Sequence, residues 1–241
     1  MSVTISTKAL LFDLDGTLVY SIPAVEKSWL NEVQEHNKAH PDQYYEPLEF
    51  VHSCHGTRTV DVFKKYFPYK PSDEDTINNW EQGIVSHFGT LGRPIHGAPE
   101  LLDSLNKSEF RDRWAVVTSG TRPLAHGWFE RLFSHIDKPS VFITANDVTL
   151  GKPNPEGYTT AFEKISSIHK IEDKSAAIVF EDAPVGIASG INAGFIVIGI
   201  ATTFDKQKLL DAGAKYVVED MTKVTLESTS GADITLKLET L

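Results

Sequence analysis

Two aspartates flank a single leucine in Asp13-Leu14-Asp15-Gly16-Thr17, directly after the apolar run Leu10-Leu11-Phe12. Carboxylates at i and i+2 just past a strand point to one side, and Gly16 lets the backbone turn sharply. One such carboxylate can attack phosphorus and form an aspartyl-phosphate, splitting a hard step into two. The other can protonate the leaving alkoxide and then deprotonate water. The same five residues also suit an ordinary capped turn, because Asp-Gly pairs favour turns. A second cluster, Thr118-Ser119-Gly120, follows residues 114–117. Its hydroxyl and backbone N–H groups at the start of a helix make an oxyanion cradle, or a plain N-cap. Lys152, between Gly151 and Pro153, is either a solvated loop lysine or a point charge for the transferring phosphoryl group and Asp13. Glu181-Asp182 closes the apolar run 176–180. Two acids at the end of a buried strand are costly unless paired. A hard cation with oxygen ligands solves this, and magnesium takes one or two carboxylates, waters and a substrate phosphate. N-capping of the next helix is the plainer use. Asp13, Asp15, Glu181 and Asp182 are therefore the expected metal-site residues. The order nucleophile, hydroxyl, lysine, acid pair, each at a strand end, is what joins the clusters into one site.

The elements that must position these residues follow from the apolar pattern. Short continuous apolar runs at 9–12, 114–117, 140–143, 176–180 and 195–200 predict strands covered on both faces. Helical patterns at 99–105, 123–133, 155–165 and 184–193 lie between them, each opening at a proline. The alternation predicts an α/β fold with a doubly wound, mostly parallel, Rossmann-like sheet. Ligands of such sheets bind beyond the carboxyl ends of the strands, where all these residues fall. Residues 20–92 break the pattern. They are polar, aromatic and helix-like, and predict an inserted helical cap, joined through 19–21 and 92–94 to a core of residues 1–19 and 93–241. Two β-patterned runs around Ser230-Gly231 predict a hairpin at about 224–238.

The chain has 241 residues and a net charge of −10. That balance argues against a nucleic-acid binder but not against a small phosphorylated substrate, because a metal and local cations can reverse the field in one cleft. The sole cysteine, Cys54, leaves no disulfide within the chain, as expected of a reducing compartment. The longest apolar run, 195–201, is far too short for a bilayer span. With no leader-like start, a cytoplasmic protein that binds no membrane is expected. The acidic surface has no evident docking stripe, and a monomer is expected.

Taken together, these motifs resemble those of the haloacid dehalogenase superfamily of aspartate-nucleophile phosphatases. Asp13-Leu14-Asp15-Gly16-Thr17 is similar to its first motif, Thr118 to its second, Lys152 to its third and Glu181-Asp182 to its fourth. The insertion resembles that superfamily's first class of helical cap. Members that cleave carbon–halogen bonds lack the second acid of the first motif, so Asp15 implies phosphoryl transfer, and the resemblance makes the Asp15 carbonyl a further metal ligand. The stretches His55-Gly56-Thr57-Arg58-Thr59, Val117-Thr118-Ser119-Gly120-Thr121-Arg122 and Phe180-Glu181-Asp182-Ala183-Pro184 resemble fungal 2-deoxyglucose-6-phosphate phosphatases and the related glycerol phosphatases. A magnesium-dependent phosphatase of small sugar or polyol phosphomonoesters is implied. A sugar phosphomutase, a phosphonate hydrolase using Lys64 or Lys65, and a non-catalytic binding relative stand as alternatives.

Substrate choice then falls to the cap. His55, Gly56 and Arg58 are the expected substrate-reading residues, beside Ser119 and Gly120 in the core. Arg58 matches by resemblance a cap arginine that faces substrate, where it would bind hydroxyls or a second anionic group; otherwise it is a surface arginine opening a helix. His52 and His55 around Cys54 lack the partner pair a soft-metal site needs, and Cys54 has no identifiable base. Trp29, Trp80, Trp114 and Trp128 are expected in cores and at the cap–core seam. Gly186 and Gly190 are expected to serve close helix–sheet packing, since Glu181-Asp182 occupies the place a dinucleotide-binding turn would need.

Overall fold

The computed structural model describes residues 1–241. Strands β1 (Ser2–Thr7), β2 (Ala9–Phe12) and β3 (Val19–Tyr20) lead into helices α1 (Ile22–Ala39), α2 (Pro47–Cys54), α3 (Thr59–Tyr66) and α4 (Glu74–Phe88). The chain returns through β4 (Arg93–Pro94) to α5 (Ala98–Lys107), β5 (Trp114–Val117), α6 (Arg122–Leu132), β6 (Val141–Ile143) and α7 (Glu156–His169). It continues with β7 (Ala177–Glu181), α8 (Pro184–Asn192), β8 (Ile196–Ile200), α9 (Lys206–Asp211), β9 (Tyr216–Val218), β10 (Val224–Leu226) and β11 (Ile234–Glu239). No helix is long and apolar enough to cross a membrane.

The central sheet has six parallel strands in the order β6-β5-β2-β7-β8-β9. Side-chain alternation along β2 explains why both faces are covered. Leu10 and Phe12 point into one core with Trp114, Val116, Ile178 and Phe180, under α5 and α6. Ala9 and Leu11 point into the other with Ala115, Val117 and Val179, under α7 and α8. Phe12 stacks on Phe180 with ring centroids 4.9 Å apart, and each such fully buried side chain contributes roughly 1.5–3 kcal/mol. The doubly wound sheet is thus as expected. From β2 the chain builds outward through β5 and β6 on one side and β7, β8 and β9 on the other, so the strand order reverses at β2 and leaves a crevice at its carboxyl end.

The antiparallel sheet at the end of the chain contains more than a hairpin. β10 pairs with β11, as expected, and β1 pairs along the other edge of β11 from Ser2↔Glu239 to Thr7↔Ile234. Sequence pattern misses β1 because its polar residues alternate with Val3 and Ile5, and only Ile5 packs on the core. It misses β9 because three residues make too short an apolar run.

Helices α1 to α4 enclose a separate small core of Trp29, Val33, Phe50, Val51, Cys54, Val62, Phe63, Phe67 and Ile77. Trp80 packs on Trp29 with ring centroids 4.3 Å apart. Only the short antiparallel pair of β3 and β4, Val19↔Pro94 and Tyr20↔Arg93, carries the chain in and out. Arg93 stacks over Tyr20, 4.1 Å from the ring centre. Trp114 and Trp128 belong to the core beneath the sheet.

Candidate active site

The crevice at β2 gathers the strand-end residues. Asp13 follows β2, and its N–H donates to the Phe180 carbonyl at 3.0 Å, locking it beside β7. Lys152 reaches across from the loop after β6. Its Nζ donates to Asp13 Oδ1 at 2.5 Å, to Glu181 Oε1 at 2.6 Å and to the Val117 carbonyl at 3.2 Å. Burial works against the lysine's charge, but Asp13 and Glu181 outweigh it and hold the ammonium above its ordinary range. Burial likewise pushes the Asp13 carboxyl well above the usual carboxylate range; Lys152 pulls it down, while Glu181, Asp182 and Asp15 push it further up. Its other oxygen, Oδ2, is buried without a hydrogen-bond partner.

Asp15 turns the opposite way. Its Oδ1 accepts from Ser21 Oγ at 2.5 Å and its Oδ2 from Thr118 Oγ1 at 3.3 Å. Burial raises its carboxyl above the ordinary range against those two hydrogen bonds. Thr118 Oγ1 in turn accepts from the Gly120 N–H at 3.0 Å. The expectation that the Asp15 carboxylate joins the metal cluster is corrected. The acids that converge are Asp13, Glu181 and Asp182, with carboxylate oxygens within 4.8 Å of one another.

The acid pair is held by Lys152, by Thr17 of the first motif and by Tyr158, to which sequence alone gave no role. Glu181 Oε1 accepts from Tyr158 Oη at 2.8 Å as well as from Lys152, and Oε2 from the Ala183 N–H at 3.3 Å. Tyr158 lies on the buried stripe of α7 with Ala161, Phe162 and Ile165, so periodicity alone reads it as core. Asp182 Oδ1 accepts from Thr17 Oγ1 at 3.3 Å. Burial, reinforced by Glu181, raises the Asp182 carboxyl to about 7. Two glycines make room for these carboxylates. Gly16 has φ +90°, and a Cβ there would lie 2.0 Å from Asp182 Oδ2. A Cβ on Gly186 would lie 1.8 Å from Glu181 Oε1. Gly186 thus lets α8 pack closely on the end of β7 and clears the Glu181 carboxylate, while Gly190 packs against Val179 and Val197, as expected. The orphaned Asp13 Oδ2, the crowded acids and the all-oxygen donor set fit a hard divalent cation held by Asp13 and Asp182.

The cap loop after α2 closes over the mouth. Gly56 has φ +75°, and a Cβ on it would lie 2.6 Å from Val185 Cγ1. Its carbonyl accepts from Ser119 Oγ at 2.9 Å. His55 lines the same cavity, with Nε2 3.1 Å from Glu26 Oε1. Burial is the main influence on its ring and lowers its basicity, although Glu26 opposes this. Arg58 is brought beside the site but not into the cavity that holds Asp13. Its guanidinium pairs with Asp61 through Nε at 2.8 Å and Nη2 at 3.0 Å. Nη1 donates to the Val148 and Thr149 carbonyls at 3.3 and 3.1 Å. It clasps the cap to the loop before Lys152, outside the cavity that holds Asp13 but in a smaller pocket lined also by Thr118, Ser119 and Lys152, so its guanidinium is committed to the cap–core seam. Cys54 lines the cavity but is buried, which pushes its thiol up to about 12.

Glu81 is the other residue missed. It lines the cavity from α4 and is 2% exposed. It accepts from Thr59 Oγ1 on one oxygen and from the Thr121 N–H, at 2.5 Å, on the other. The available signal was a lone acid on the buried stripe of Ile77 and Ile84.

The haloacid dehalogenase-like hydrolase profile matches residues 7–194. The chain is 38% identical over 225 residues to "2-deoxyglucose-6-phosphate phosphatase 2" of Saccharomyces cerevisiae, covering 90% of this chain and 89% of that one. It is 39% identical over 220 residues to "Glycerol-1-phosphate phosphohydrolase 1" of the same yeast, covering 90% and 84%. Among solved structures, a hydrolase from Pseudomonas syringae shares the fold, with a TM-score of 0.71 and 24% identity over 89% of this chain and 94% of that one. A strand-end site of this construction, under an inserted helical cap and matched along most of its length, makes the chain a member of the haloacid dehalogenase-like hydrolase family.

Proposed function

We propose that the protein hydrolyses small sugar or polyol phosphomonoesters with magnesium, through an aspartyl-phosphate on Asp13. The observation that carries this reading is the division of labour between the two aspartates. Asp13 keeps one oxygen on Lys152 and leaves the other unpartnered, while Asp15, turned toward the cap, is held by Ser21 and Thr118. Magnesium, held by Asp13, Asp182 and the Asp15 carbonyl with Glu181 behind them, would neutralise charge on the phosphoryl oxygens and the acids.

The phosphoryl oxygens are received by the Thr118 hydroxyl, the Ser119 and Gly120 N–H groups and Lys152. An oxygen of Asp13 bonds phosphorus as the bond to the leaving oxygen breaks. Asp15, whose burial favours its protonated form, delivers a proton to that oxygen. Asp15 then takes a proton from water, whose oxygen bonds phosphorus as the Asp13–phosphorus bond breaks. Inorganic phosphate leaves and Asp13 is restored. Residues 20–92 act as the cap that excludes bulk water, with His55 and Gly56 facing the leaving group. Relatives named for sugar and polyol phosphates support the substrate class.

The test is magnesium-dependent phosphate release from 2-deoxyglucose 6-phosphate, glucose 6-phosphate, fructose 1-phosphate, sorbitol 6-phosphate and glycerol 1- and 3-phosphates. Release from one or more of them supports the reading. No release from any, with folded protein and metal present, sinks it.

A further inference from the structure

Glu81 is a buried carboxylate with no cation beside it. Its partners, the Thr59 hydroxyl on the cap and the Thr121 N–H on the core, are both neutral. Each carboxylate oxygen has a lone pair to spare beyond those bonds. It shares the cavity with Asp13 and Asp15, among the apolar side chains of Val25, Trp29, Ile84 and Leu124. A charge in such a setting acts strongly on whatever enters. Lys152 is the only lysine or arginine lining this cavity, and it is already engaged by Asp13 and Glu181 at the phosphoryl end. Arg58, which would have suited a second anionic group, is turned out to Asp61 and the Val148 and Thr149 carbonyls. The leaving-group side therefore offers an acceptor and a negative charge, and no cation.

We propose that Glu81 is a specificity-determining residue of this site: it accepts hydrogen bonds from the hydroxyls of a neutral polyhydroxy alcohol and excludes leaving groups that carry a second phosphate. This rests on the phosphatase reading above and adds to it which monoesters are taken. It also disfavours any reaction that must hold a sugar bisphosphate under the cap. The burial that raises the Glu81 carboxyl to about 7 leaves a large ionised fraction at neutral pH and above.

The experiment compares substrates differing only in the second phosphate: fructose 1-phosphate with fructose 1,6-bisphosphate, and glucose 6-phosphate with glucose 1,6-bisphosphate. At pH 8 with magnesium, kcat/KM for the bisphosphate is expected to be about 100-fold lower than for the monophosphate, the scale of like charges brought together. Glu81→Gln keeps the shape of the side chain and removes the charge. It should narrow that ratio at least tenfold and raise KM for the monophosphate more than it lowers kcat. Wild-type protein that takes both members of a pair equally overturns the inference, whatever the variant does. A folded Glu81→Gln with the wild-type ratio overturns it as well. Absence of release from every monophosphate overturns the phosphatase reading, and this inference with it.

Discussion

The two halves of the cavity handle buried charge in different ways. On the core side, Asp13, Glu181 and Asp182 crowd together, and Lys152 lies between Asp13 and Glu181. The acids there remain under-compensated, and Asp13 Oδ2 has no partner. On the cap side, Glu81 sits alone and is satisfied by neutral donors. The core half thus presents an acid cluster that fits a divalent cation. The cap half is already satisfied and needs only hydroxyl groups. The lesson is that reaction and selectivity rest on separate hydrogen-bond partners: Glu81 makes no hydrogen bond or ion pair to the acids at the phosphoryl end, although, after burial, the charge of Asp15 also helps to push its carboxyl up.

Breaking the core half should have the largest effect. Asp13→Asn is expected to lower kcat on the order of 10⁴-fold or more, as loss of a covalent nucleophile does, measured by phosphate release. A variant within tenfold of wild type would remove Asp13 from its assigned role and erase the distinction between the halves.

The next effect sharpens the cap half through pH. Burial pushes the Glu81 carboxyl up from an ordinary value of 4.5 to about 7 in the fold. The folded state therefore holds more protons between those values, so stability falls as pH rises from about 4.5 to 7 and the penalty is fully present above 7. For one group the loss is on the order of 3 kcal/mol at most. Urea melts of metal-free protein across this range should show the fall, to which the raised Asp13, Asp15 and Asp182 carboxyls add in the same direction, and Glu81→Gln should make it shallower. An unchanged slope in the variant would mean Glu81 does not carry the charge assigned to it.

Metal addition tests the core half in the same currency of stability. Magnesium at 100 times its dissociation constant should stabilise chelator-treated protein by about 2.7 kcal/mol, read as a rise in melting temperature. Asp182→Asn should remove most of that rise, whereas Glu81→Gln should keep it. Equal losses in the two variants would contradict the separation.

The smallest effect is expected at the seam. Arg58→Ala loosens the clasp between cap and core and should cost about 1–2 kcal/mol of stability. Because the guanidinium lies outside the cavity, kcat should fall less than tenfold, with KM moving more. A collapse of kcat in a folded variant would return Arg58 to the substrate.

The core half was legible in sequence because its groups sit immediately after apolar runs. Asp13 and Thr118 follow β2 and β5, Glu181-Asp182 closes β7, and parallel strands covered on both faces must place their carboxyl ends together. The cap half was much less legible, as was Tyr158 behind the acid pair in the core. Glu81 and Tyr158 lie on helical stripes otherwise filled by apolar side chains, where period alone cannot separate a functional polar group from a satisfied core one. Ser21, whose hydroxyl holds Asp15, stands in a connection that sequence marks only as a linker.

Sequence by itself determined the strand–helix alternation, the inserted helical segment and the identity of the acids, hydroxyl and lysine. All of these follow from local apolar period and from side-chain chemistry, which do not depend on how distant segments meet. Only the tertiary structure decided where each polar group points. Arg58 faces Val148 and Thr149, some ninety residues away, and Asp15 turns to Ser21 and Thr118 rather than to the other acids. Such choices turn on hydrogen-bond partners that packing alone brings within reach, and a buried charge takes the partners it finds there.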